Sequence, residues 1–512
     1  MRNSFCRVPV PLSSSRADLR IAVIADSDTR WKWGALTARR LAPDPEHRRV
    51  TGYLLRGRAT PTPRQLGEAG VVTDGLPTEV TCAQFLAELG RERFDVVVLA
   101  LVGGAVQAVL HGVRALWPGP AARPVLVTGY VGVVYEKLAD GLLLRHGADL
   151  VLANSRHDAG RFRAVYEGVG ADAGAVTETA LPFLGGAPYA PAGGGAHTVV
   201  FAVQPSVPES RADRTYLLER AAGHARLHPG REVLVKLRSR PGEHTTHLEE
   251  HPYQRLAERL PGGLPANCRL VYGNMGEVLD GTDLLVTVSS TAALESLHRG
   301  IPTAVLTDLG VREALGNHHF LGSGCLTSWD RLDEGLLPHG NPHWLATHGV
   351  TPPHRPPPVT LPGGPAPEAV RPEVPASAPG ADVPPGLLSV RPAAEEPVQD
   401  SGPRTGGPRA EGGHADAHAV ARARLAELLA RERLPAVAPY YTPATAPGYL
   451  PGILARHHLG IDGTPLPGAA RPEAAESGAR RWLRAHLREA ARGAYRHGVQ
   501  RVAPVIRRLG EL

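Results

Sequence analysis

The sequence predicts an α/β protein with two doubly wound parallel sheets, and three observations carry the prediction. From residue 20 to about 310, short apolar runs alternate with helix-like segments, the pattern of βαβ units. A Gly/Pro-rich run, Pro182–Gly195, interrupts the alternation, and a second series begins after it. The chain has 512 residues, 42% of them hydrophobic and 21% charged, enough to bury a sizeable core in each series.

In the first series, strands are expected at Arg20–Ala25, Val50–Leu55, Asp95–Leu101, Pro124–Thr128 and Asp149–Ala153, where aliphatic and β-branched residues cluster. Amphipathic helices are expected between them, at Cys82–Arg91 and Ala105–Leu116 among others. In the second series, strands are expected at His197–Val203, Glu232–Lys236, Arg269–Val271, Asp283–Val288 and Pro302–Leu306, with helices near Arg211–Leu227 and Thr291–Arg299. These elements set an N-terminal domain at 18–184 and a second domain at 196–346. Residues 351–410 hold 17 of the 49 prolines and few large apolar side chains, so 347–412 is expected to be a disordered Pro-rich linker. Residues 413–512 are expected to form a helical basic tail, with helical composition at Ala417–Leu434 and Ala479–Val502 and an irregular Tyr440–Pro467 between. The last helix places Trp482, Leu483, Leu487, Ala491 and Tyr495 near one face among arginines, which suits either an anionic membrane surface or the protein's own domains.

Composition excludes several classes. The most apolar stretch, Val96–Leu110, is interrupted by Gly103, Gly104 and Gln107 and is shorter than the roughly 20 residues that span a bilayer. Met1–Arg20 has no apolar core of a secretory signal, so the protein is expected in the cytoplasm, with the basic tail as its one route to the inner membrane face. Cys6, Cys82, Cys268 and Cys325 are scattered without a C-x-x-C pair, and no His/Asp/Glu cluster has metal-ligand spacing, so neither a disulfide framework nor a metal site is expected. The net charge of +6 is small for this length and does not indicate nucleic acid. Only Lys32, Lys137 and Lys236 are lysines among 56 basic residues, which hints that a compact ammonium is wanted at those places.

The most informative segment is Thr282–Asp308. A buried strand runs into Ser289-Ser290-Thr291 and a helix follows at once, so hydroxyls and free N–H groups meet at a helix N-terminus, where the dipole favours an anion. Glu295 lies one turn further on the same side, placed to accept hydrogen bonds from a ribose diol, and Gly300-Ile301-Pro302 stops the helix. The plain alternative is that Ser289 only caps the helix. Upstream, Lys236 and Arg238 emerge at the C-terminal end of a strand, where doubly wound sheets bind ligands and two cations complement a phosphate. Tyr272-Gly273-Asn274-Met275-Gly276 follows the next strand and offers backbone amides to a base, although Gly-Asn also makes ordinary turns.

In this order the segment resembles the C-terminal, donor-binding domain of GT-B glycosyltransferases. The strand, Ser-Ser-Thr, Glu and Gly-x-Pro sequence is similar to that in bacterial sialyl- and polysialyltransferases, wall-polymer glycerophosphotransferases and UDP-N-acetylglucosamine 2-epimerase. Residues 20–345 as a whole resemble a family of uncharacterised glycosyltransferases of high-GC bacteria. The resemblance implies two Rossmann-like domains facing across a cleft, with a nucleotide sugar as substrate and no separate cofactor. It implies Ser289, Ser290 and Thr291 on the donor phosphate and Glu295 on the ribose. The sialyltransferase-like enzymes carry His-Pro near position 240, where this chain reads Arg-Pro-Gly-Glu-His, a departure that argues against a cytidine-monophosphate donor.

The first strand ends in Asp26-Ser27-Asp28, and this D-x-D invites three readings: the metal motif of GT-A enzymes, the nucleophile and acid of haloacid-dehalogenase-like phosphatases, or a GT-B cleft loop carrying a base. The GT-A motif normally comes later in the chain, and Arg30 breaks the phosphatase pattern, so the third is favoured. Two neighbouring carboxylates push each other's pKa apart, which makes Asp28 the expected general base and Asp26 the alternate. Trp31 and Trp33, at i and i+2 on a helix, are expected to leave one ring exposed for stacking a sugar or lipid. Together these readings give a metal-independent glycosyltransferase that passes a sugar from a nucleotide donor to a hydroxyl-bearing glycan or lipid-linked acceptor, in cell-surface polysaccharide or glycoconjugate synthesis. The rivals are a phosphatase or epimerase on the same scaffold, and an inactive nucleotide-binding scaffold protein.

Overall fold

The computed structural model describes residues 18–57, 59–71, 73–132, 137–191, 197–240, 243, 249–350, 352 and 416–469. The expected linker from 353 onward and the expected terminal helix Ala479–Val502 lie outside the described residues. The first sheet contains β1 (Leu19–Ala25), β2 (Arg48–Leu55), β3 (Thr78–Val80), β4 (Val96–Ala100), β5 (Val125–Gly129), β6 (Leu150–Ala153) and β7 (Val176–Glu178). The second contains β8 (His197–Ala202), β9 (Arg231–Lys236), β10 (Cys268–Val271), β11 (Leu284–Thr287), β12 (Thr303–Leu306) and β13 (Leu326–Thr327). The strand orders are β3-β2-β1-β4-β5-β6-β7 and β10-β9-β8-β11-β12-β13. Every pairing is parallel, with Ile24 opposite Tyr53 on one side and Leu99 on the other.

Both sheets are covered on two faces, so β4, β5, β11 and β12 are buried at every residue and read as continuous apolar runs. The three strands that sequence patterning does not reveal, β3, β7 and β13, are two- or three-residue strands, too short to show a period. In each sheet the strand order reverses at one point, between β1 and β4 and between β8 and β11. A crevice opens there at the carboxyl ends of the strands, the place where doubly wound sheets bind ligands. The loops at 26–28, 101–103, 203–204 and 288–291 border these two crevices.

The helix Asp28–Leu41 follows β1, with Ser27 accepting from the Arg30 N–H as its N-cap. It lies so close to the sheet that a Cβ at Gly34 would stand 2.8 Å from both Ala100 and Val23. This corrects the expectation that one tryptophan is exposed: Trp31 and Trp33 are 2% and 1% exposed. With Gly34 seated on the centre of the sheet, the two rings spread sideways, Trp31 over Gly52 in β2 and Trp33 over Gly129 in β5. Neither face is available to a sugar.

Residues 416–469, expected as the start of a tail, pack on both faces of the first sheet. Ala421, Leu425, Leu428 and Leu434 join the core beneath the helix Asp28–Leu41. Val437, Leu450, Leu454 and Leu459 join the core of the opposite face, around the helix Gly103–Leu116. Each of these leucines stabilises the fold by about 1.5–3 kcal/mol through burial. The helix Gly103–Leu116 is consequently buried from Ala105 through Val113 and is not amphipathic; Gln107 and His111 both bond the Tyr441 carbonyl, at 3.2 and 2.9 Å. Cys82, Cys268 and Cys325 are buried and unbridged. Among the described residues no helix is long and apolar enough to cross a membrane.

Candidate functional site

The end of β1 and the end of β9 meet between the two sheets. Asp28 is the first residue of its helix, and its Oδ1 accepts a hydrogen bond from Arg238 Nη2 at 2.7 Å. Arg238 also donates to the Thr29 hydroxyl. Burial tends to raise the Asp28 pKa, but the Arg238 charge and the hydrogen bonds outweigh it and hold the carboxyl below its usual range. Asp26 faces elsewhere: Oδ1 accepts from Arg30 Nη1 at 3.0 Å and Oδ2 from the Val102 N–H at 2.8 Å, which ties the loop after β1 to the loop after β4. The expected mutual push between the two carboxylates is therefore replaced by two separate ion pairs, because each side chain has its own guanidinium.

Lys236, the last residue of β9, is buried and gives a hydrogen bond to the Leu237 carbonyl at 2.7 Å. Burial pulls its pKa down to about 8; Glu68 opposes this, while Arg238, Arg64 and Lys32 add to it. Lys32 comes from the helix after β1, its ammonium 3.7 Å from Glu295 Oε2 and 5.2 Å from the centre of the Phe183 ring. Two of the chain's three lysines thus converge on one place. The third, Lys137, is exposed. Glu295 is 7% exposed, and burial raises its pKa against the pull of Lys32 and Arg299.

The three hydroxyls after β11 separate into different tasks. Ser289 is buried, with its hydroxyl donating to the Leu315 carbonyl at 2.6 Å and its N–H to Gln204 Oε1 at 2.9 Å, so it ties β11 to the ends of neighbouring elements. Ser290 is half-buried, and its hydroxyl accepts from the Ala292 N–H at 3.3 Å; the N-cap of the helix Ala292–Arg299 is Thr291, with no side-chain capping bond. Thr291 is also half-buried and looks across at the first domain, its hydroxyl 3.1 Å from where a Cβ of Gly132 would lie. Ser289 is therefore not the helix cap.

Further contributors come from distant elements, and Arg64 among them carries no sequence signal. Arg64, in the helix Pro63–Ala69, pairs with Glu68 and with Glu243 of the second domain. Asn274 caps the helix Met275–Asp280 through Oδ1 and reaches across with Nδ2 to the Glu68 carbonyl at 2.9 Å. That helix has only six residues, and beside it a groove of about 750 Å³ runs along β9 and β10, lined by Leu234, Leu270, Val278, Tyr272, Arg240 and Glu68. Arg240 stacks over the Tyr272 ring at 5.3 Å. His157 stacks on His348 at 4.5 Å, and His348 stacks on Trp344 at 3.9 Å.

The family described as "Putative glycosyltransferase (DUF6716)" matches residues 21–359, about two-thirds of the chain. The chain belongs to this glycosyltransferase family. No match is found among curated protein sequences. The fold is similar to that of Staphylococcus aureus MnaA in complex with UDP, at 11% identity over 62% of this chain and 86% of that one, with a TM-score of 0.42. It is also similar to Anabaena HepE in complex with UDP and glucose, at 15% identity over 62% and 88%, with a TM-score of 0.39. A UDP-GlcNAc 2-epimerase from Neisseria meningitidis bound to UDP-GlcNAc is similar at 8% identity over 62% and 90%, with a TM-score of 0.40.

Within this family member one group has metal-ligand geometry among the described residues, His224, His228 and Asp333. His224 Nδ1 lies 2.6 Å from Asp333, its Nε2 faces Arg231 at 3.0 Å, and Arg220 pairs with Asp333 at 2.9 Å. Two guanidiniums already supply the positive charge, and Arg231 opens β9 at the end opposite Lys236. This is a structural network remote from the crevice.

Proposed function

We propose that the protein moves a sugar from a nucleotide donor to an acceptor hydroxyl, using side-chain cations in place of a metal, in the synthesis of a cell-surface polysaccharide or glycoconjugate. The observation that carries this reading is the convergence of Lys236, Arg238 and Lys32 on the crevice where the helix Ala292–Arg299 begins. In it the donor phosphate sits at that helix start, held by Ser290, Thr291 and the second-domain cations, with Ser289 supporting the turn from beneath. The ribose takes the Glu295 carboxylate, which Lys32 holds in place, and the base enters the groove beside Tyr272.

When the acceptor oxygen attacks the anomeric carbon, the bond from that carbon to the phosphate oxygen breaks and its electron pair leaves with the nucleotide. The charge that develops falls among Arg238, Lys236 and the helix dipole, groups fixed in place before the reaction. The acceptor proton passes to Asp28 once Arg238 has turned from it to the phosphate. No cofactor is needed beyond the substrate.

A thermal-shift screen of uridine, cytidine and guanosine diphosphates and their sugars tests this, followed by turnover of the stabilising donor in excess chelator. Stabilisation by one nucleotide series and turnover that survives chelation are expected. Absence of nucleotide binding, or loss of turnover restored by magnesium or manganese, would overturn the reading.

A further inference from the structure

Asn154, the residue after β6, is 2% exposed and donates through Nδ2 to two carbonyls of the loop after β5, Tyr130 at 2.9 Å and Gly132 at 3.0 Å. Arg145, also buried, donates to the carbonyl that ends β5, Gly129, at 3.0 Å and to the Leu101 carbonyl of the loop after β4 at 3.2 Å. Gly129 itself is seated on Trp33, where a Cβ would stand 2.8 Å from the ring. Asn154 is held in turn by the chain leaving the second domain. Gly349, with a φ of 67°, lies so close that a Cβ on it would stand 3.0 Å from the Asn154 carbonyl.

These bonds decide which way the peptide groups of the loop point. A trans peptide holds its C=O and N–H in one plane, directed to opposite sides. The Tyr130 carbonyl points at Asn154, so the Val131 N–H of the same peptide points away from it, and among the described residues that N–H has no hydrogen-bond partner. Val131 and Gly132 are half-buried. Gly132 stands where the first domain comes up to the start of the helix Ala292–Arg299, and a Cβ on it would lie 3.1 Å from the Thr291 hydroxyl. Even a methyl group there would press on the threonine, so the close approach of the two domains suits glycine.

We propose that this loop is a first-domain part of the donor site, and that Asn154 is a positioning residue that aims the Val131 N–H at the phosphate carrying the sugar. This rests on the nucleotide-sugar reading above, in which that phosphate lies at Ser290 and Thr291. A backbone N–H fixed before the reaction stabilises the charge that develops as the sugar leaves, without reorganising. Carbonyl oxygens would repel an anion, and those of Gly129, Tyr130 and Gly132 are the groups that Arg145 and Asn154 draw away. Because the loop meets the second domain at Thr291, its contact is with the phosphate at the helix start and not with the nucleoside. It therefore separates a nucleoside diphosphate from the matching monophosphate.

Calorimetry of the full-length protein with UDP, CDP and GDP, and with UMP, CMP and GMP, reads this contact. In the wild type one diphosphate should bind more tightly than its monophosphate. Asn154→Asp puts a carboxylate oxygen in place of the Nδ2 donor, repels the Tyr130 and Gly132 carbonyls, and should lower the affinity for that diphosphate by about tenfold or more, the scale of a hydrogen bond to a charged group, with the monophosphate unchanged. Gly132→Ala, at a half-buried position outside the core, should do the same and decides alone if Asn154→Asp does not fold. A monophosphate bound as tightly as its diphosphate by the wild type, an equal loss of both in Gly132→Ala, or wild-type diphosphate affinity in that variant would overturn the role of the loop and leave the parent reading standing. A wild type that binds none of these nucleotides would bring down the parent reading and this one with it.

Discussion

Arg238, in the loop after β9, holds Asp28, the first residue of the helix after β1, across 2.7 Å, joining the two domains by a charge-assisted hydrogen bond. Arg238 is also the cation proposed for the donor phosphate, so carboxylate and phosphate compete for one guanidinium. The competition gives an order of events: while Arg238 faces Asp28 the carboxylate is a poor proton acceptor, and the arriving phosphate releases it.

The replacement Asp28→Asn should therefore strengthen nucleotide binding by up to about 1.5–3 kcal/mol, the scale of a hydrogen bond to a charged group, while turnover falls. Calorimetry with the cognate nucleoside diphosphate checks the first part, and unchanged or weaker binding would refute the competition.

Nucleotide affinity should depend on Lys236. Its folded pKa is lowered by burial to about 8, so below that pH the ammonium is charged and attracts the anion, and above it the attraction is lost. Affinity should hold up to about pH 8 and then fall by at most about tenfold per pH unit, the slope for one proton. In Lys236→Met the affinity should be lower throughout and flat across that window; a titration from neutral to alkaline pH decides.

Ser290 and Ser289 should separate cleanly. Ser290→Ala is expected to weaken nucleotide binding by about 1.5–3 kcal/mol if its hydroxyl meets a charged phosphate. Ser289→Ala should act on stability, because its buried hydroxyl holds the Leu315 carbonyl, lowering the melting temperature with little effect on affinity in protein that remains folded.

The seat of Trp31 can be tested without touching the ring. In Gly52→Ala the new methyl would collide with Trp31 and stand 3.1 Å from Pro77, so a loss of about 1–3 kcal/mol is expected from overpacking. Gly67→Ala, in the helix Pro63–Ala69 with nothing near its Cβ, should be neutral or stabilising by about 0.5–1 kcal/mol. Denaturant midpoints of the pair give the comparison.

The return of the chain to the first domain predicts that Leu450, fully buried against the helix Gly103–Leu116, matters to a core more than 300 residues earlier in sequence. Leu450→Ala should cost about 2–5 kcal/mol. A stability unchanged from wild type would mean that this segment does not cover the helix in solution.

The sequence by itself determined the two parallel sheets and the place of the turn proposed for the donor phosphate, because both rest on local signals. Runs such as Val96–Ala100 and Leu284–Val286 are continuously apolar because both faces of the sheet are covered, and Ser289-Ser290-Thr291 lies where a strand gives way directly to a helix. Which hydroxyl faces the crevice was decided by tertiary contacts, since Gln204 and the Leu315 carbonyl claim Ser289 and leave Ser290 and Thr291. The partners of Asp28 and Glu295 were decided the same way: Arg238 and Lys32 lie hundreds of residues from them and reach them only when the domains meet. Helical periodicity could place Trp31 and Trp33 on the helix but not foresee glycines in two separate strands making room for both. The helix expected as amphipathic at Ala105–Leu116 gave no sign in the sequence of needing a second cover. Only the folded chain shows that residues 437–459 supply it, because burial depends on what the chain brings back, and sequence separation places no limit on that.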